Sequence, residues 1–214
     1  MKAAQFNQLI ATIFALPLAT VIVYTRALKE AGLLTSTGAR GRAAPDMTAL
    51  DAARVVIAIL STEGPSQAVE RVIRFGTLRY SPHYRTYVRA HETIEPDAFA
   101  DLFSTSTLEA VLAEIIGLPA AIGIDEACKW HDTNRFSLRI SDFDLLAELV
   151  RWKWDEDEII GECVIPFKGQ TMSKSPDELQ STDGFEVIKG HVRTRRETTG
   201  LTLLSLGIMM QEVT

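Results

Sequence analysis

Eight residues, Thr35-Ser-Thr-Gly-Ala-Arg-Gly-Arg42, combine two arginines with two glycines and contain no acid. Guanidinium groups meet phosphate oxygens through planar, paired N–H donors, and glycines let a backbone approach a charged surface closely. The chemistry of such a loop is contact with a polyanion rather than bond making. Other groupings are weaker. Cys128-Lys-Trp-His131 has a C-x2-H spacing that Cys163 or His191 could complete as a zinc site, but it is a single pair where structural zinc usually takes two. The expectation is no metal, with a buried Cys and a surface His instead. Asp142 with Asp144, and Asp155-Glu-Asp-Glu158, could hold Mg2+, yet no Lys or His stands beside them at a catalytic spacing. The sequence holds no G-x-x-x-x-G-K, G-x-G-x-x-G, G-x-S-x-G or H-E-x-x-H motif. It therefore predicts no enzyme and no cofactor.

The elements around the basic loop must present it. Pro17 suits a first helical turn and Gly32 a left-handed stop, so a helix is expected between them. Leu18, Val21, Tyr24, Leu28 and Ala31 follow the spacing of one buried face, while Thr20, Thr25, Arg26 and Lys29 fall mainly on others. Ahead of it, Phe6, Leu9, Ile10 and Ile13 predict a first helix packed across the second. Behind the loop, Thr48 with Asp51 makes a capping box for a helix reaching Ser61, with Ala52, Val55, Val56, Ile59 and Leu60 inward. Gly64-Pro65 stops it, and a further helix from Gln67 to Phe75 is expected to bury Val69, Val72 and Ile73 and to turn Arg71 and Arg74 outward, with Arg79 beyond it.

Leu16-Pro-Leu-Ala-Thr-Val21, Leu28-Lys-Glu-Ala-Gly-Leu-Leu34 and Gly38-Ala-Arg-Gly-Arg42 resemble the start of the recognition helix, its end and the wing of winged helix-turn-helix proteins. The same segment, followed by Met47-Thr-Ala-Leu-Asp-Ala-Ala53, is similar to proteins of temperate phages and prophages. The likeness covers about the first third of the chain. It implies that Thr20, Thr25, Arg26 and Lys29 approach a major groove of double-stranded DNA, with Arg40 and Arg42 on the adjacent backbone or minor groove. The other reading is a small helical domain with a solvated basic loop.

Length and composition, 214 residues with 46% apolar and 23% charged, describe an ordinary globular protein. Residues 1–89 carry 11 Lys/Arg against 5 Asp/Glu, and residues 90–214 carry 11 against 23, so the halves stand at +6 and −12. Any polyanion should be met by the front, and any protein partner by the acidic back. Two cysteines fit a reducing cytosol. Ile10 to Tyr24 is apolar enough to suggest a signal-peptide core, but it is shorter than the ~20 residues that span a bilayer and its helix runs on through Arg26 and Lys29. No membrane association is expected, and a cytoplasmic location is, that of the host if the protein is phage-encoded.

In the second half, Gly76 to Thr93 interleaves Tyr80, Tyr84 and Tyr87 with Arg79, Arg85 and Arg89, as a connector with strand character or an extension of a nucleic-acid surface. A short helix from Glu95 to Phe103 and another capped by Ser106, with Leu108, Val111, Leu112, Ile115 and Ile116 inward, are expected before Pro119, the latter ending at Gly117. From Phe136 the pattern alternates: Phe136–Ile140, Ile159–Phe167, Phe185–Arg195 and Leu201–Met210 read as strands, Asp144–Trp154 reads as strand over helix, Glu197–Gly200 as a turn and Lys168–Asp183 as a surface loop. His191, Arg193, Arg195 and Arg196 form a basic row whose favoured role is to offset neighbouring acids.

The sequence thus predicts an α+β protein: an all-α winged helix-turn-helix domain over residues 1–90, and over 91–214 an α+β domain with an antiparallel sheet of about four strands, for oligomerisation or a protein partner. The function expected is non-enzymatic DNA binding, as a transcriptional regulator or as the DNA-recognition small subunit of a packaging terminase. The alternative is a structural or protein-interaction protein of a phage-like system that binds no DNA.

Overall fold

The computed structural model describes residues 1–35, 45–62, 64–81, 86–87, 106–141, 145–155, 158–168 and 195–212. Among these it is an α+β protein with helices concentrated toward the N-terminus and one antiparallel sheet. The central element is helix α3, Ala49–Ser61. Its capping box forms as the sequence predicts, with Asp51 N–H donating to Thr48 Oγ1 at 3.1 Å and Thr48 N–H donating to Asp51 Oδ2 at 2.7 Å. Of the expected inward face, Ala52, Val55, Val56 and Leu60 are buried and Ile59 is half-buried, while Ala53, Ile57 and Ala58 are buried as well. A helix apolar all round belongs inside a core, and α3 has neighbours on every side.

Around it stand α1 (Ala3–Ile13), α2 (Leu18–Glu30) and α4 (Ala68–Gly76). Tyr24 of α2 hydrogen-bonds Thr62, just beyond α3, at 2.9 Å, and the Thr62 carbonyl also accepts from Arg196 Nη1. Ile73 of α4, expected inward, is 51% exposed, because Ala68, Val72, Phe75 and Gly76 already fill the narrow face that meets α3.

Helix α5, Leu108–Ile122, starts one residue after the expected cap, at Thr107, and passes through Pro119 rather than stopping at Gly117. Proline inside a helix forfeits one hydrogen bond, but here its ring is buried against another helix, and the true stop is Gly123 at φ 90°. Gly123 also opens α6, Ile124–Thr133.

The sheet takes β3 (Phe136–Ser141), β4 (Leu146–Asp155), β5 (Glu158–Lys168) and β6 (Arg195–Thr199), joined by two short pieces, β1 (Arg79–Tyr80) and β2 (Thr86–Tyr87). The order is β1-β5-β4-β3-β6, and β2 pairs with β5 on the same edge as β1. The strand reading of residues 146–154 holds, and the tyrosine-rich connector contributes strand pairing, with Tyr80 edge-on to Phe167. Phe136, Leu138, Ile140, Leu149, Ile165 and Phe167 alternate toward the helices. On the other face Arg139 lies opposite both Glu148 and Glu197, its Nε 3.2 Å from Glu197 Oε2. One buried cluster draws on α1, α2, α3, α4, α5, the sheet and the C-terminal helix alike.

Two expectations fail at the C-terminus. Glu197–Thr199 is strand, not turn, and Leu201–Met210 is the body of a helix, α7, Gly200–Glu212. Its apolar residues are dense enough to satisfy either period. The buried positions Gly200, Leu203, Leu204 and Gly207 fall at the spacing of one helical face, and Thr199 caps the first turn by accepting from Thr202 N–H at 3.2 Å. The expected helix at 95–103, the strand at 185–194 and the loop at 169–183 lie outside the described residues, as do His191 and Arg193.

Candidate nucleic-acid interface

The turn between α1 and α2 spans Phe14–Pro17. It is tight: Leu16 N–H reaches back to Ala11 O at 2.9 Å and Ala15 adopts φ 50°. Pro17 then serves as the N-cap of α2. The helix ends as its sequence implies. Gly32 has φ 73°, its N–H donates to Lys29 O at 3.0 Å and Leu33 N–H donates to Leu28 O at 2.9 Å, the paired bonds of a left-handed C-cap.

Val21, Tyr24 and Leu28 are buried as expected, while Leu18 is 38% exposed and Ala31 is exposed, since the core side of α2 is narrower than its apolar stripe. The side chains expected to face DNA divide. Thr20 is half-buried in the first turn. Thr25 is buried, and its hydroxyl donates to Val21 O at 3.1 Å. Arg26 and Lys29 are exposed. Arg26 Nε donates to Glu30 Oε1 at 2.8 Å, and that hydrogen bond, with the charge of Glu30, raises the arginine's pKa further. Arg40 and Arg42 lie outside the described residues.

Thr35 and Pro45, which flank residues 36–44, both come to α2. A groove of about 220 Å³ runs between α1, α2 and the flanks of the loop, and Arg26 and Lys29 line it together with Thr35 and Pro45, the residues on either side of 36–44. Asp51 holds this base together. One carboxylate oxygen accepts from Thr35 N–H at 2.7 Å and the other from Thr48 N–H at 2.7 Å and Thr48 Oγ1 at 2.8 Å. Arg54, one turn on, donates to Leu33 O at 2.7 Å and pairs with Glu109 at 2.9 Å. The spacing Thr48-x-x-Asp51 foretells the cap; the second use of Asp51, on a residue 16 positions back, leaves no mark in the sequence. Asn7 Oδ1, also in the groove wall, is buried and accepts no hydrogen bond among the described residues. Next to the basic pair, Ile22 and Val23 are 44% and 50% exposed.

The remaining groupings do not assemble. Cys128 and His131 share one face of α6, but among the described residues no three His, Cys, Asp or Glu side chains are placed to hold a metal. His131 lies on the Phe136 ring, and burial lowers its pKa, with Asp132 opposing. Cys163 is buried in β5. Asp142 and Asp144 lie outside the described residues, and Asp155 and Glu158 are paired at the β4–β5 turn. No helix among the described residues is long and apolar enough to cross a membrane. The chain matches no known family, no curated protein and no solved structure.

Proposed function

We propose that the protein binds double-stranded DNA without catalysing a reaction, through the outer face of α2 and the basic loop that follows it. The observation that supports this most is the groove itself, where Arg26 and Lys29 stand beside both ends of a nine-residue segment whose sequence includes Arg40 and Arg42. Phosphate contacts from these cations supply affinity, and Thr20 with the outer side of α2 supplies any sequence preference. Asp51 acts as a positioning residue that keeps the loop's ends at the groove. We read this helix and the basic segment after it as a winged helix-turn-helix reader, and the phage-like resemblance of the segment supports a transcriptional regulator or the DNA-recognition subunit of a packaging machine. An oligomer is part of both, a dimer for the first and a ring for the second.

A second reading rests on Leu18, Ile22 and Val23, apolar and exposed on the same helix. Such residues suit assembly with protein, and in that reading the cations of α2 are only a solvated rim.

The two separate in a titration of duplex DNA at two salt concentrations, using wild type, Arg26→Ala/Lys29→Ala and Arg40→Ala/Arg42→Ala, with the mass in solution recorded alongside. DNA binding predicts salt-sensitive affinity, and removing one cation from a phosphate lowers the salt slope by about 0.9. A folded wild type that ignores DNA at low salt, or variants that bind as well as wild type, rejects the DNA reading.

A further inference from the structure

The guanidinium of Arg54 bonds in two directions at once. Nη1 donates to Leu33 O at 2.7 Å, while Nε and Nη2 donate to the two carboxylate oxygens of Glu109 at 2.9 and 3.4 Å. The group is planar and its donors keep fixed directions, so a carboxylate that sets the plane also sets where Nη1 points. Leu33 follows Gly32, whose left-handed backbone ends α2, and stands two residues before Thr35. This short exit from α2, which leads to residues 36–44, is pinned twice from α3: by Asp51 on Thr35 N–H and by Arg54 on Leu33 O.

The two pins differ in what stands behind them. Asp51 is braced within its own helix start, since it also accepts from Thr48 N–H and Thr48 Oγ1. Arg54 is braced from another element. Glu109 belongs to the first turn of α5, 55 positions further along the chain. Glu109 in turn lies against the end of α4, where a Cβ placed on Gly76 would come within 3.1 Å of Glu109 Oε2. Arg54 and Glu109 are both half-buried, which spares their pairing part of the screening that weakens ion pairs in open solvent.

From these contacts we propose that Arg54 is a positioning residue for the exit of α2, and that Glu109 transmits to it the placement of the α4–α5 seam. When the seam shifts the carboxylate, the guanidinium turns with it and the Leu33 carbonyl loses its donor. Arg54 thereby acts at one remove, on where Thr35 stands beside Arg26 and Lys29 in the α2 groove. The consequence for DNA affinity rests on the DNA reading, whereas the hold on the α2 exit does not.

The test pairs two readouts on the full chain: hydrogen exchange of the Thr35 amide, with the Leu206 amide in α7 as the reference for global opening, and titration with duplex DNA. Wild type is compared with Arg54→Met, Glu109→Gln, Arg54→Met/Glu109→Gln and Gly76→Ala, the last of which displaces the Glu109 carboxylate without removing a charge. The expected result is that exchange at Thr35 rises about fivefold in Arg54→Met and in Glu109→Gln, beyond any rise at Leu206, with a smaller rise in Gly76→Ala. The double variant should exchange no faster than Arg54→Met alone, because Glu109 acts only through Arg54. DNA affinity should fall in the same order. If Arg54→Met fails to fold, Glu109→Gln and Gly76→Ala still decide, since both keep the donor to Leu33 O. Unchanged exchange at Thr35, a rise fully matched at Leu206, or additive effects in the double variant overturns the proposal. A wild type that ignores DNA rejects the DNA reading and leaves the exchange readout to uphold or overturn the hold on the α2 exit. A wild type that binds DNA as tightly as variants with a loosened Thr35 overturns the coupling to affinity.

Discussion

Helices α2 and α7 are both thirteen residues long, and they spend their surfaces in opposite ways. Helix α7 is wedged. A Cβ placed on Gly200 would come within 2.6 Å of the Phe136 ring, and one on Gly207 would run into the backbone carbonyl of Ile116. Leu203, Leu204 and Leu206 are buried beside them. Helix α2 rests on the core through Val21, Tyr24, Thr25 and Leu28 and leaves Leu18, Ile22, Val23, Arg26 and Lys29 to solvent. Seated at backbone contact, α7 leaves apolar Leu201 and Met209 exposed and carries no cation for a polyanion. A helix that uses a narrow stripe leaves its cations available, and Thr35 and Pro45 stand beside that unused side.

The contrast is broken most directly at Gly207. Alanine there gains about 1 kcal/mol in helix propensity, but the clash is with backbone, which yields only if α5 and α7 separate. Overpacking of this kind costs up to several kcal/mol, so Gly207→Ala should lose about 3 kcal/mol net in urea unfolding, whereas Ile22→Ala on exposed α2 should stay within about 0.5 kcal/mol. A loss under about 1 kcal/mol at Gly207 would mean that the α5–α7 seam has slack and that the two helices differ less than their burial suggests.

Next in size is Asp51. Its carboxylate is 1% exposed and accepts from the N–H groups of both Thr35 and Thr48. Alanine removes the side-chain half of the α3 capping box, leaving Thr48 as N-cap, and orphans two backbone donors, which together should cost about 2 kcal/mol. Because Asp51 fixes the loop base, Asp51→Ala should also weaken DNA binding in protein that is still folded, measured well below its melting temperature. Unchanged affinity would detach the loop from the α2 groove as a binding unit.

How much of this the sequence discloses depends on whether the deciding contact is local. The start and stop of α2, the capping box of α3 and strands β3 to β5 are readable because Gly32, Thr48 with Asp51, and the alternation after Phe136 act within a few residues. Helix α7 is misread as strand because Leu201–Met210 is apolar at nearly every position, and the deciding glycines matter only through Phe136 and Ile116, distant in the chain. For the same reason Pro119 reads as a stop although its ring is buried against α7. At the candidate interface the basic residues are visible in the sequence, but the burial of Thr25 and the double grip of Asp51 are not.

A doubly substituted variant acts on function and hardly on stability. Arg26 and Glu30 are 77% and 64% exposed, so water screens their i,i+4 pairing and it adds little to stability. Arg26→Ala/Lys29→Ala should therefore unfold at the wild-type urea midpoint within error while its DNA affinity falls and its salt slope drops by about 2. Loss of stability beyond about 1 kcal/mol would show that α2's outer side contributes to the fold after all, and would erase the contrast with α7.

The smallest effect is a slope. Trp130 and His131 of α6 both pack on Phe136, the ring for which Gly200 leaves room, so His131 senses the α7 seam from its far side. Burial holds the His131 pKa below its usual 6.5, and Asp132, with its carboxylate 3.8 Å from Nδ1, offsets only part of this. The unfolded chain therefore takes up the proton first as pH falls. Above about 6.5 both states are neutral at this residue and it contributes nothing to pH dependence; as pH drops from there toward the lower folded pKa, the unfolded state gains and stability declines, levelling off once both states are protonated. His131→Gln should flatten the urea midpoint across that window relative to wild type. A wild-type slope that survives the substitution would place the titrating group elsewhere, and a slope of the opposite sign would mean that the pairing with Asp132 outweighs burial on the ring.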